Sequence, residues 1–190
     1  DMFEVIGFLR RGITVEGIEY EWSEYLLFNP FKGFRWLSEY HGHWNFIKTT
    51  TNIPIKREKK GNKQPSVEYL GTRFDHFQKA TARVNYVVGE FYWQVRAGET
   101  CSVSDYVAPP SILSEEKTDK ETVWSIGEYI EAKSIWEGFQ LKTPIPPQIG
   151  VAPNQPCPLK SQSAGMWTLF GWFVAAAFLI YFLVLLSAEN

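Results

Sequence analysis

The sequence predicts an all-β domain, a mainly antiparallel sandwich or partly open barrel with one short helix, followed by one C-terminal transmembrane α-helix. Three observations predict it. Residues 166–186, MWTLFGWFVAAAFLIYFLVLL, are 21 positions without a charge, inside an uncharged run over residues 161–188. At about 1.5 Å per residue such a helix spans roughly 30 Å, the thickness of a bilayer's hydrocarbon core. Aromatic residues make up 16% of the chain, and they cluster in alternating rather than helical patterns, as half-buried strands require. Finally, the alternating runs are separated by short Gly, Asn-Pro and His-Gly turn signals, the spacing of an antiparallel meander.

Taken in order, residues 3–10 (FEVIGFLR) read as a first strand, continued by Ile13, Thr14 and Val15 beyond a turn at Gly12. Residues 18–28 form a long strand, which Asn29-Pro30 ends. Residues 33–40 and 43–47 make a hairpin about His41-Gly42, and residues 66–70 a short strand. Residues 72–80 fit a helix or a bent strand, and 81–95 a strand with a bulge or close backbone approach at Gly89. Gly98-Glu99 turns into a strand at 102–107, ended by Ala108-Pro109-Pro110. Ser114-Glu115-Glu116 has the composition of a helix start or a surface turn. Residues 123–132 return to strand, and Ser134 caps a short helix in which Ile135 and Phe139 share a face. Six prolines within residues 143–158 mark an extended linker. The expected organisation is thus a β-rich domain at 1–142, a linker at 143–165, the membrane helix at 166–186 and a tail at 187–190.

Trp167, Trp172 and Tyr181 stand where amphipathic rings meet headgroups. Ala175, Ala176 and Ala177 are small enough to admit a second helix, though lipid-facing filler is the plainer reading. Lys142 and Lys160 precede the run and only Glu189 follows it, so the positive-inside bias places the β-domain on the cytoplasmic side of the cell membrane. The run ends four residues before the last, and the first residue is Asp1. A tail-anchored protein or a piece of a longer one is expected, the second being favoured.

Lys plus Arg number 19 against 21 Asp plus Glu, a balance that argues against nucleic acid as a partner. Cys101 and Cys157 are too far apart for a CxxC ligand pair and are read as reduced thiols. Five basic residues, Lys56, Arg57, Lys59, Lys60 and Lys63, belong to a solvated loop, or alternatively to a finger on anionic headgroups. His41 and His43, with Asp75 and His76, are the weak candidates for a metal site, against a reading as turn and surface histidines. No GxSxG, GxxxxGK[ST] or GxGxxG sequence occurs, so hydrolase elbows and nucleotide cradles have no footing. No cofactor is expected. Glu90 and Asp105 face each other if their strands are neighbours, although Glu90 is better read as satisfying backbone amides. Trp22, Trp36, Trp44, Trp93, Trp124 and Trp136 are expected mainly in the core, since aromatic rings pack well on a pleated surface.

The blocks EYLLFNPFKGFRWLSEYHGHW, GEFYWQV, DYVAPPSILSEE and WSIGEY, in that order, resemble the bacterial family of domains of unknown function DUF4178, over roughly residues 3–158. The resemblance implies a membrane-associated setting, with phage-shock-type proteins as possible partners, and offers no catalytic residues. The expected function is therefore a non-enzymatic binding or scaffold module on the membrane. The alternatives are a metal-dependent hydrolase using the His41 and His43 region, and an anionic-lipid sensor using the basic loop.

Overall fold

The computed structural model describes residues 2–57 and 65–157. Asp1–Gln155 form one compact unit and Pro156–Asn190 a second. The expected membrane helix, with Trp167, Trp172 and Tyr181, lies outside the described residues, as do Lys59, Lys60 and Lys63. Among the described residues no helix is long and apolar enough to cross a membrane.

Among the described residues, ten strands precede one helix: β1 (Glu4–Val15), β2 (Ile18–Asn29), β3 (Gly33–Tyr40), β4 (His43–Thr49), β5 (Ile55–Arg57), β6 (Ser66–Tyr69), β7 (Thr72–Gly89), β8 (Thr100–Ala108), β9 (Ser111–Lys117), β10 (Thr122–Ile130) and α1 (Ala132–Gly138). All pairings are antiparallel. The order β1-β2-β3-β4-β10-β9-β8-β7 returns to β1, so eight strands close a barrel, and β6 and β5 extend it from β7. Closure depends on the length of β7. Its start pairs with β6, its middle with β8, and Arg83 to Gly89 with β1. Bulges at Ile6 in β1 and at Phe77 and Asn85 in β7, the last opposite Arg10 and Arg11, supply the bends a closed sheet needs.

Three hairpins use two-residue turns: Glu16-Gly17, His41-Gly42 and Leu70-Gly71, every one of these residues having positive φ. Two left-handed central residues are the requirement of a type I′ turn, whose twist matches that of its strands. Asn29 closes the β2–β3 turn by accepting the Phe31 and Lys32 amides on its side-chain oxygen.

Several expectations are corrected. β1 passes through Gly12 without a turn, because Gly12 pairs with Glu21 on one side and Arg83 on the other. Of the two readings of residues 72–80 the bent strand holds, with its bulge at Phe77, but β7 ends at Gly89 rather than running to Val95. There φ is +97°, and an added Cβ would sit 2.4 Å from the Ile6 carbonyl oxygen. Residues 114–116 lie inside β9, not at a helix start. Ser134 lies within α1, whose N-cap is Glu131.

The main apolar clusters pack against the outside of the barrel wall. Val67, Tyr69, Phe74, Tyr106, Leu113 and Trp124 form one, where the β5–β6 extension covers β8, β9 and β10. Leu27, Leu37, Trp44, Ala132 and Ile135 form the other, under α1. Tryptophan is therefore core at Trp44 and Trp124, but Trp93 is exposed.

Candidate functional site

The register turns Leu9 and Arg11 of β1 and Trp22, Glu24 and Leu26 of β2 to one face. Contacts between Arg11 and strands β8 and β9 identify that face as the barrel interior. Arg11 Nη1 donates to Glu24 Oε1 at 3.3 Å and Glu116 Oε1 at 2.6 Å, and Nη2 reaches Cys101 Sγ at 2.9 Å. Trp22 Nε1 donates to Glu24 Oε1 at 2.6 Å, and the Arg11 guanidinium stands 5.7 Å from the Trp22 ring. One buried cation thus ties four strands. Arg11 Nε is buried without a partner.

Burial alone would ease a proton off Arg11, but Glu24 and Glu116 outweigh it and hold the guanidinium charged. Glu24 is pushed above the usual carboxylate range by burial, with Arg11 opposing. Burial pushes the Cys101 thiol up to about 11, again against Arg11. A thiol so held is not a ready nucleophile. Both cysteines are free.

Asp105 also lies inside the barrel, accepting from Gln78 Nε2 at 2.9 Å and Ser114 Oγ at 2.6 Å. Burial raises its pKa in spite of those bonds. The folded protein therefore holds this proton more tightly than the unfolded chain does. The stabilising contribution is complete below the ordinary value of 3.8 and is lost as pH rises through the raised folded value. Asp105→Asn cannot ionise, and Gln78 can turn its amide to present oxygen. We expect the variant to need more urea than wild type at neutral pH, with the gap closing as pH falls toward 3.8.

One end of the barrel is covered by the proline-rich stretch expected as a linker. Over its described residues, 143–157, it has no helix or strand, yet it is docked through residue 154. Ile149 N donates to His41 O at 2.9 Å, and Gln148 Nε2 to the Tyr129 hydroxyl at 2.9 Å. Asn154, fully buried, donates to Asn45 Oδ1 at 2.7 Å and Pro110 O at 2.9 Å. Pro147 O lies 2.7 Å from where a Cβ on Gly42 would stand, so the strap requires glycine there.

The opposite end carries an apolar rim. The β2–β3 turn, the residues after β4, the start of β10 and the segment after β7 all lie there, as the pairings Glu4–Phe28, Phe28–Phe34, Ser125–Thr49 and Gly7–Gly89 require. Met2 is 91% exposed, Phe31 92% and Ile53 85%, and Tyr92, Trp93 and Val123 are exposed beside them. Tyr92 packs on Phe34 at 4.3 Å and Trp93 on Trp36 at 5.8 Å. Here the alternation of Phe91 and Trp93 serves an aromatic cluster, not a strand. A shallow groove of about 210 Å³ opens between residues 49–53 and 122–124.

The proposed metal residues are dispersed in role. His41 sits at the hairpin tip, stacked on Tyr40. His43 is buried, with Nδ1 3.0 Å from the Tyr129 hydroxyl. Asp75 pairs with Arg73, and His76 packs edge-on against Tyr106. Among the described residues no three His, Cys, Asp or Glu form a metal-holding group. Of the basic-loop residues, Lys56 is paired with Glu115 and Arg57 with Glu68. Glu90 lies beyond β7 with its amide on Ile6 O, so it does not face Asp105 across neighbouring strands. The Arg11 cluster was missed in the sequence reading; a basic residue on the inward side of an apolar strand was its one signal.

No curated protein and no solved structure matches the chain. The family model described as a domain of unknown function, DUF4178, matches residues 1–132. The matched span ends two residues after β10 and takes in every barrel strand, and on that match the chain belongs to the DUF4178 family.

Proposed function

We propose that the chain is a membrane-anchored, non-enzymatic binding or scaffold module of a bacterial membrane-associated assembly. Residues 166–186 are the anchor, and the barrel lies on the cytoplasmic side of the cell membrane, the side favoured by Lys142 and Lys160. The observation that supports binding is the apolar rim. Six large apolar side chains from five separate segments are exposed at one barrel end, beside a shallow groove. Exposed apolar side chains gathered at one end of a domain mark interaction sites, and aromatic anchors dominate the energetics of such sites. Barrel closure also narrows the choice: among the described strands, β5 alone has a strand neighbour on one side only.

The test is capture of partner proteins from native membranes by the full chain, with wild type beside a Phe31→Ser/Ile53→Ser double variant. Both side chains are almost wholly exposed, so the fold is expected to survive. Wild type should recover defined proteins that the variant binds about tenfold or more weakly. Equal recovery by both chains would remove the rim reading.

A further inference from the structure

We propose that the strap end of the barrel is a lipid-contact face, seated on the bilayer that holds residues 166–186. This rests on the anchor reading above, and it adds which face of the domain meets the membrane. Three observations carry it.

The first is charge. Residues 143–159 contain none, and from residue 143 to 188 the one charged side chain is Lys160. An uncharged segment loses little hydration on reaching headgroups, and its flanking Lys142 and Lys160 can meet anionic ones.

The second is the division of labour along the strap. The Ile149 amide, Gln148 and Asn154 make its docking bonds to the barrel, Asn154 fully buried and Gln148 still exposed. Its apolar side chains stay in solvent, with Ile149 63% exposed, Val151 84% and Ile145 45%. A soluble loop ordinarily does the reverse, since apolar groups gain by leaving water. Prolines keep the stretch extended without requiring partners for every amide.

The third is reach. Met166 lies eleven steps along the chain from Gln155, with ten residues between them, which limits the distance between them to about 35–40 Å even when fully extended. Asn154 is fixed at the strap end. Of the two barrel ends, this is the one from which the chain departs toward the anchor.

The test uses the full chain with Cys101→Ser and Cys157→Ser, reconstituted in phosphatidylcholine vesicles, with nitroxide labels introduced singly at Ile149→Cys, Val151→Cys and Asp119→Cys. Asp119 lies in the β9–β10 turn at the rim end. Collisions with oxygen, which partitions into lipid, are compared with collisions with a water-soluble nickel chelate. The oxygen-to-nickel ratio at 149 and 151 should exceed that at 119 several-fold. Equal aqueous ratios at all three sites, with the chain still floating with the vesicles, overturn this inference alone. Shielding of 149 and 151 from both reagents overturns it in favour of contact between copies. A chain that does not float with the vesicles removes the anchor reading and this inference together.

Discussion

Arg11→Met is expected to lower the unfolding free energy by about 3–5 kcal/mol, the range found when one partner of a buried ion pair is removed. Methionine replaces the aliphatic stem, so the loss is of charge and donors rather than bulk. Glu24 would keep the single donor Trp22 Nε1, in a site where its side chain is 14% exposed. Glu116 is 39% exposed and can turn to water, so most of the penalty falls on Glu24. Urea unfolding measures it. An Arg11→Met/Glu24→Gln double variant should recover part of the loss, because the stranded carboxylate is gone. A single-variant loss under about 1 kcal/mol would mean the pair behaves as a solvated surface bridge.

Phe74→Ala is expected to cost about 3–5 kcal/mol, the range for emptying a buried phenylalanine site. The number matters because Phe74 lies outside the barrel wall, between β6 and the outer faces of β8 and β9. It is 2% exposed and packs with Val67, Tyr69, Tyr106, Leu113 and Trp124. If the outer cluster holds the β5–β6 extension on the wall, the variant should also speed amide exchange in β6 at moderate urea. The surface pair Lys56–Glu115 spans the same seam, but an exposed bridge adds at most about 1 kcal/mol and cannot replace the ring. A loss near 1 kcal/mol, with β6 protection unchanged, would place the main stability elsewhere.

Much of the architecture was legible because the turns carry their own chemistry. His41-Gly42 places glycine where left-handed backbone is needed, so the β3–β4 hairpin is legible almost to the residue; Glu16-Gly17 does the same, yet the turn was expected at Gly12, a glycine that the paired strands hold extended. β9 was illegible for the opposite reason. Its inward positions include Ser114 and Glu116, which face a polar interior, so no alternation of apolar and polar residues remains to be seen. The stretch from Gly89 to Val95 misled because its alternation is real but serves the rim cluster. The Arg11 site was out of reach because Arg11 and Glu116 are 105 positions apart, and their meeting depends on how the barrel closes. The strap read as linker because its docking uses one amide and two side-chain amides, and such contacts leave no period in sequence.

The seam between β1 and the end of β7 has a consequence for how the chain emerges from the ribosome. The first strand cannot find its second neighbour until residues 83–89 exist, and β4 waits longer still, for β10. A nascent four-strand meander therefore holds two bare edges while about forty further residues are made, and one of them for about eighty, and bare edges invite pairing with other chains. Ring closure of this kind rewards late, distant contacts, so maturation should be slow beside that of helical domains of equal size, and newly made chains are the population most in need of chaperone shelter.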